Sequence, residues 1–252
     1  MQQGPGTENA YGAVAQAYAE SVPVLVLPQG HFREQAQLDP NFSAFLKMRD
    51  VAKSVEQAVS VKDLPNAMRR AFTRLRNGRP RPCIVELPQD VLTEELTGEL
   101  DYTPVLVTRS APDPAVVPKA AEAMLAAKRL VIYAGQGVHY GRAWSQLKEL
   151  AELLAAPVVT TYAGKSSFPE DHPLSLGSGG ATYSKQAYEF VQKADLIFGA
   201  GCSFTQTPFA INMPRGKRYI HATWDAMEVN KNLPTELALL GDLDLTLSLI
   251  HI

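Results

Sequence analysis

The stretch that most constrains the fold of this chain is residues 130–141, Leu-Val-Ile-Tyr-Ala-Gly-Gln-Gly-Val-His-Tyr-Gly. Residues 130–134 form a short apolar run, which is typical of a central parallel strand covered on both faces. Gly135 and Gly137 allow a sharp turn and a close approach of the backbone to a ligand. An apolar stripe at helical spacing follows, so the turn would present a helix N-terminus to an anion. The stretch therefore predicts a strand–turn–helix unit with either a nucleotide site or a plain structural turn, because Gly141 falls one residue late for the dinucleotide fingerprint.

Segments typical of strands and helices alternate along most of the chain. Strands are predicted at residues 22–27, 82–87, 130–134, 157–161, 195–200 and 218–222. Apolar stripes at helical spacing lie at residues 64–75, 117–125 and 183–194. This alternation predicts an α/β fold with two doubly wound, mostly parallel-sheet domains. The loops near Gly135, Thr161, Gly201 and Thr223 are expected to meet at one edge of the second sheet.

The predicted domain boundaries lie where the hydrophobic period is lost. Residues 93–113 contain acids and several prolines without a sustained period, so we predict a linker there. The first domain is expected over residues 1–92 and the second over residues 114–247. We expect the first domain to be truncated at its N-terminus, because the chain enters directly on a glycine turn. Residues 248–252 are interpreted as an artefactual tail.

Charge and cysteine content narrow the class of partner. The formal net charge of -2 over 252 residues gives no basic footprint for nucleic acid or an anionic membrane. No run reaches the length of a membrane span, and no signal peptide is recognisable. The two cysteines, Cys83 and Cys202, each lie in an apolar run, which favours buried reduced thiols and a cytoplasmic setting. Small-molecule partners are therefore expected, with no nucleic acid and no membrane.

Several short motifs occur in a fixed order. Residues 4–9, Gly-Pro-Gly-Thr-Glu-Asn, resemble the Gly-Pro-Gly-Ala-Thr-Asn turn of thiamine-diphosphate enzymes of the acetolactate synthase type. Residues 77–82, Asn-Gly-Arg-Pro-Arg-Pro, and 86–91, Glu-Leu-Pro-Gln-Asp-Val, are similar to that family's Ser-Gly-Arg-Pro-Gly-Pro and Pro-Lys-Asp-Val. Residues 164–174 are similar to its Gly-Lys-Gly-x-Phe-Pro-Glu-Asp-His-Pro-Leu. The resemblance implies the second half of a pyrimidine-binding domain followed by the family's central domain.

The resemblance also implies a cofactor and a reaction. The implied cofactor is thiamine diphosphate with Mg²⁺, shared across the interface of a homodimer or homotetramer, with Gly4, Pro5, Gly6 and Asn9 at its aminopyrimidine. The family's catalytic glutamate and diphosphate–magnesium site are expected outside this chain. The implied reaction is decarboxylation of a 2-oxo acid to a carbanion-enamine, which is then transferred to a second carbonyl. His31 is a candidate catalytic residue, because its loop is expected where substrate-side residues lie.

A flavin or nucleotide site is a further implication, because the family's central domain binds flavin in some members. The residues that match or nearly match the flavin pattern are Gly135, Gly137, Thr161, Tyr162, Gly201 and Asp242. Ser203 stands where an arginine is usual and Thr223 where an aspartate is usual, and loss of the cation forfeits a charge-assisted contact to a diphosphate. FAD is thus a candidate cofactor only. The alternative function is a non-catalytic nucleotide- or flavin-binding module.

Other polar side chains are interpreted as structural. His172 is expected to order its loop, and Lys165 to form a surface salt bridge. Direct chemistry by His172 and a ligand contact by Lys165 are the alternatives. Glu170 and Asp171 are adjacent and point in different directions, which makes a poor acid–base couple. Cys202 is interpreted as a packing residue rather than a nucleophile, because no base is identifiable near it in sequence.

Overall fold

The computed structural model describes residues 1–179, 183–208 and 210–250. The chain divides into two compact units, Met1–Thr108 and Arg109–Ile252. Between residues 93 and 116 the described chain forms neither helix nor strand. No helix among the described residues is long and apolar enough to cross a membrane.

The first unit is built on a small parallel sheet. Its elements are α1 (Pro5–Ala19), β1 (Leu25–Val26), β2 (Gln29–Gly30), α2 (Ala44–Lys47), a 3₁₀ turn (Arg49–Val51), β3 (Ser54–Gln57), α3 (Leu64–Arg76), β4 (Cys83–Pro88) and α4 (Gln89–Leu92). The strand β4 is central and pairs in parallel with β1, β2 and β3. It is almost wholly buried, as expected of a parallel strand covered on both faces.

Both faces of β4 carry apolar contacts. On one face Ile84 packs with Val14 of α1 and with Met48. On the other face Cys83 and Val85 pack against Ala67 and Ala71 of α3. Side chains at the start of β4 therefore pack against helices on both faces of the sheet. Because both faces are buried, apolar residues occupy successive positions instead of alternating with polar ones.

The second unit is larger. Its elements are α5 (Val117–Ala126), β5 (Leu130–Ala134), α6 (Gly137–Gly141), α7 (Trp144–Leu153), β6 (Val158–Thr161), β7 (Ser175–Gly179), α8 (Lys185–Lys193), β8 (Leu196–Ala200), β9 (Arg218–Thr223), a 3₁₀ turn (Ala226–Glu228), β10 (Leu237–Leu240) and α9 (Leu243–Ile250). The six strands are parallel and lie in the order β10-β9-β8-β5-β6-β7.

Helices cover both faces of this sheet. One core joins the sheet to α5, α7 and α9 through residues such as Met124, Leu147 and Leu247. The other core joins it to α8 through Ala187 and Val191. The prediction of an α/β fold with doubly wound, mostly parallel sheets is confirmed by this arrangement.

Several details differ from the sequence-based expectations. Leu125 was expected on the buried face of α5 but is 71% exposed, because it lies beside the stripe that begins at Val117. The strands β7 and β10 were not predicted. β7 reads Ser-Leu-Gly-Ser-Gly, is mostly half-buried and pairs with β6 through an irregular register, so it carries little apolar signal.

The interpretation of residues 248–252 as a tail falls partly outside the described residues, which end at 250. Within them, α9 continues to Ile250. Leu247 is buried, and Ile250 packs against the larger core of the second unit. The part of this segment that the structure describes is therefore integrated into the fold.

Candidate functional site

The predicted glycine loops lie together at the carboxyl ends of the strands in the second unit. The sheet order places β5, the first strand of this unit, beside β8, the fourth, so the strand order reverses there. Ligands of doubly wound folds bind in the crevice at such a reversal. Gly135 and Gly137 follow β5, and Gly201 follows β8. The structure brings these three glycines into contact, as expected from the sequence.

The other residues of the flavin pattern lie along the same edge. Thr161 ends β6, and its hydroxyl accepts a hydrogen bond from the Gly164 N–H at 2.9 Å. Tyr162 is 79% exposed. Asp242, in contrast, is buried in the turn between β10 and α9. Ser203 is hydrogen-bonded to the Thr205 hydroxyl at 2.7 Å.

A buried aromatic cluster lies directly beneath this edge. The Phe204 ring lies 4.9 Å from the His221 ring, 5.5 Å from Tyr219 and 6.0 Å from Tyr133, between centroids. His221 Nε2 lies 2.7 Å from the Cys202 carbonyl oxygen and therefore carries the proton that this bond needs. Burial lowers the pKa of His221 and holds the imidazole neutral.

The neutral His221 leads to a pH prediction. Its pKa is lower in the folded than in the unfolded chain, so the unfolded chain takes up a proton first as the pH falls. We expect stability to decrease as the pH drops below about 6.5, the unfolded value, and to level off below the folded pKa. Thermal midpoints measured across this range test it. His221→Gln should flatten the decrease relative to wild type; equal slopes in the two proteins would contradict this account.

The surroundings of Cys202 indicate that this residue has a packing role. Burial raises the pKa of its thiol to about 12 and also raises the pKa of Cys83. Both cysteines are free and buried. Because the thiolate is the nucleophile, neither thiol has the chemistry of a catalytic cysteine.

Alkylation tests this assignment. Native protein treated with iodoacetamide in mildly alkaline buffer should show no modification of Cys83 or Cys202 by mass spectrometry. In denaturant both should react fully, which serves as the control. Rapid native modification of Cys202 would show that its thiol is accessible and activated.

The turn at the start of α1 contains the residues that the family resemblance predicts at an aminopyrimidine. Gly4 has φ of 57°, a left-handed conformation that favours glycine. Its carbonyl accepts from the N–H groups of Thr7 and Glu8, both at 2.9 Å. Pro5 and Asn9 are four residues apart on the helix and so share one face. Both are exposed.

The loop after β2 contains His31, Arg33 and Glu34, at the carboxyl end of the first sheet as expected. Arg33 is used structurally, because its guanidinium bonds Asp90 at 2.5 Å, Glu94 at 2.6 Å and the Val59 carbonyl at 2.6 Å. His31 is half-buried. Among the residues that the structure describes, no other candidate site residue predicted from the sequence is brought next to His31.

Glu86 is a buried carboxylate that was not among the candidate site residues predicted from the sequence. It is 1% exposed at the end of β4. Its oxygens accept from the N–H groups of Ala44 at 2.7 Å and Phe45 at 3.3 Å, and from Ser43 Oγ and Gln57 Nε2, both at 3.0 Å. Glu86 thereby fixes the start of α2 and the long loop that leads from His31. A lone acid in the apolar run of residues 83–87 is the sequence signal that could have identified it.

The loop at residues 164–174 is held by His172. Its Nδ1 accepts from the Leu174 N–H at 3.2 Å, and its Nε2 lies 3.1 Å from Glu152. The hydrogen bond from His172 lowers the pKa of the Glu152 carboxyl below its usual value. Lys165 is exposed, 3.9 Å from Glu170. In the residues that the structure describes, no three His, Cys, Asp or Glu side chains form a metal-binding group.

The fold and its strand-end loops define a doubly wound α/β protein, and comparisons with known proteins narrow the class further. The family model for the central domain of thiamine pyrophosphate enzymes matches residues 117–250. This match covers more than half of the chain. The chain therefore belongs to the thiamine pyrophosphate enzyme family, as the motifs predicted.

Relatives of known name match nearly the whole chain. The "Probable acetolactate synthase large subunit" of Methanocaldococcus jannaschii is 33% identical over 95% of this chain and 42% of its own length. Glyoxylate carboligase of Escherichia coli O157:H7 is 30% identical over 98% of this chain and 43% of its own length. The crystal structure of benzoylformate decarboxylase from Polynucleobacter necessarius has a TM-score of 0.85 at 27% identity, covering 99% of this chain and 48% of that chain. The chain thus spans less than half the length of these relatives.

Proposed function

We propose that the protein containing this chain is a thiamine-diphosphate-dependent carboligase or decarboxylase that acts on 2-oxo acids. The observation that carries the proposal is the 33% identity to an acetolactate synthase large subunit over 95% of the chain. Glyoxylate carboligase and benzoylformate decarboxylase are also similar to this chain. The first name describes carbon–carbon bond formation, and the second describes simple decarboxylation. This spread supports the common first step, loss of CO₂ from a 2-oxo acid.

The first turn of α1 fits one end of the cofactor. The exposed Pro5 ring offers an apolar surface for a flat heterocycle, and the Asn9 amide on the same helix face offers a donor and an acceptor. We assign these residues to the aminopyrimidine, with Gly4 and Gly6 shaping the turn. When bound, thiamine diphosphate supplies the electron sink for decarboxylation. The diphosphate and its Mg²⁺ would be held by residues outside those described here, which form no metal-binding cluster.

Within this class we favour an acetolactate-synthase-like carboligation in a cytoplasmic homodimer or homotetramer. Both cysteines are unpaired and buried, which agrees with a reducing compartment. His31 is the side chain of this chain that we assign to the substrate side, since it follows β2 at the carboxyl end of the first sheet. It would orient the substrate or hold a proton at an imidazole nitrogen.

A substrate panel tests the proposal. The protein expressed from the complete gene is incubated with thiamine diphosphate, Mg²⁺ and, in turn, pyruvate, glyoxylate and benzoylformate, while CO₂ and ligated products are measured. We expect CO₂ from at least one acid, with a ligated product if the enzyme is a carboligase. His31→Ala should lower kcat with that acid, whereas Lys62→Ala, an exposed change elsewhere, should not. Absence of CO₂ release from every acid would contradict the proposal.

A further inference from the structure

We propose that the strand-end crevice of the second unit is closed by its own main chain and does not take a flavin dinucleotide. The glycines and Asp242 that match the flavin pattern serve packing in this chain. This inference concerns a cofactor that some members of the family bind and others lack, so it can fail or hold separately from the proposed decarboxylation of a 2-oxo acid.

The glycines of the crevice pack directly against neighbouring main chain. A Cβ atom added at Gly137 would lie 2.7 Å from Gly201 Cα, and one added at Gly201 would lie 2.8 Å from Gly137 Cα. A Cβ atom at Gly164 would lie 2.6 Å from the Ala134 carbonyl oxygen. Real Cβ atoms do not approach main-chain atoms this closely, so each of these positions needs glycine to let the loops meet. The neighbouring backbone, rather than a ligand, occupies the space that the missing side chains leave.

The main-chain N–H groups of the three glycines Gly135, Gly137 and Gly201 already have acceptors. A dinucleotide diphosphate is held by main-chain N–H groups at the glycine turn. Here the Gly135 N–H donates to the Ala200 carbonyl at 2.9 Å, and the Gly137 N–H donates to the Gly201 carbonyl at 2.9 Å. The Gly201 N–H donates to the Ala222 carbonyl at 2.9 Å. These three donors are therefore already satisfied between neighbouring strand ends.

The Asp242 carboxylate is buried and has partners within this chain. Its side chain is 6% exposed, and its Oδ1 accepts from the Leu245 N–H at 3.2 Å and lies 3.4 Å from Arg109. Its own N–H donates to the Ser110 carbonyl at 2.8 Å. A Cβ atom at Gly241 would lie 2.8 Å from that same carbonyl oxygen. Residues 109–112 thus lie over the turn, and the carboxylate caps α9 and binds the covering segment instead of facing a ligand.

The side chains near the crevice also offer little positive charge to a diphosphate. The position where an arginine is usual holds Ser203, whose hydroxyl bonds Thr205. Arg109, the cation beside Asp242, also bonds Asp244 at 2.8 Å. A dinucleotide carries two phosphate charges, and a guanidinium already paired with two carboxylates contributes little to neutralising them.

Two measurements test the proposal. The protein expressed from the complete gene is purified, incubated with excess FAD and passed through gel filtration, and thermal midpoints are recorded with and without FAD. We expect no flavin absorbance in the protein peak and no FAD-dependent rise in the midpoint. Ser203→Arg, which restores the usual cation, should give the same result because the crevice stays closed. Stoichiometric flavin in either protein would overturn the proposal.

Stability without any flavin provides the second test. Asp242→Asn should lower the thermal midpoint by about 3 °C or more, because it removes the charge that pairs with Arg109 and caps α9. The matched change Asp171→Asn, at an exposed position, should leave the midpoint unchanged. If Asp242 served only a ligand, Asp242→Asn would leave the flavin-free protein as stable as wild type, and that result would contradict the structural role.

Discussion

Glu86→Ala is expected to destabilise the first unit by about 3–5 kcal/mol, because it leaves buried donors without an acceptor. The Glu86 carboxylate accepts four hydrogen bonds from the start of α2 and from β3. After truncation, the Ala44 and Phe45 N–H groups would lose the acceptor that they have in the wild type. Urea unfolding combined with hydrogen exchange measures the effect, and the amides of α2 and β4 should lose protection while those of β5 and β8 keep it.

Two further variants control this prediction. Glu86→Gln keeps the shape but loses the charge and replaces one acceptor oxygen by a donor, so it should be destabilising by a smaller amount than Glu86→Ala. Glu99→Ala removes an exposed acid from the same unit and should change stability by less than about 0.5 kcal/mol. Wild-type protection in Glu86→Ala would show that the hydrogen bonds around Glu86 are not what holds α2.

Gly135→Ala is expected to destabilise the second unit by about 3 kcal/mol, at the upper end of overpacking effects. The added Cβ atom would lie 2.4 Å from Cys202 Cα and 2.4 Å from the Gly201 carbonyl oxygen. Both are main-chain atoms, so the loops after β5 and β8 must separate to admit the methyl group. Denaturant unfolding followed by near-ultraviolet circular dichroism reports the change, since Phe204 and Tyr133 pack beside Cys202.

The same substitution in α1 should have the opposite sign. Gly12 lies inside this helix, and nothing lies within 4 Å of an added Cβ atom there. Gly12→Ala should therefore stabilise the first unit by about 0.5–1 kcal/mol through helix propensity. Equal and small effects at the two glycines would contradict the claim that Gly135 is required for loop packing.

The layered α/β fold could be predicted because its strands are continuous apolar runs. Leu130–Ala134 and Leu196–Ala200 are buried at every position, so their runs stand out from the polar loops. The meeting of the loops after them follows from the parallel order alone. Strand β7, Ser-Leu-Gly-Ser-Gly, escaped prediction because it has no continuous apolar run. Strand β10, Leu-Ala-Leu-Leu, is apolar but only four residues long, and so short a run does not distinguish a strand from a helix segment. Their pairing depends on β6 and β9, which a local pattern does not report.

The residues of the candidate site were predictable only as members of motifs. The motif at residues 4–9 led to the prediction of Pro5 and Asn9 as cofactor-binding residues, which stays a prediction, and the helix adds that they share a face. The role of Glu86 depends on donors at Ser43 and Ala44, more than forty residues away in sequence. Similarly, the glycine pattern around Gly135 is compatible with a ligand or with a neighbouring backbone. The distances to Gly201 distinguish these alternatives, and they are a property of the packed sheet rather than of either loop.

The dependence of CO₂ release on thiamine diphosphate tests the central claim most directly. The protein expressed from the complete gene is freed of cofactor and titrated with thiamine diphosphate at saturating Mg²⁺ and 2-oxo acid. Asn9→Ala is compared with wild type and with Gln16→Ala, an exposed change further along α1. The account predicts no CO₂ release without cofactor, saturable release with it, and a higher half-saturating cofactor concentration for Asn9→Ala alone. Release that does not depend on thiamine diphosphate would contradict the account.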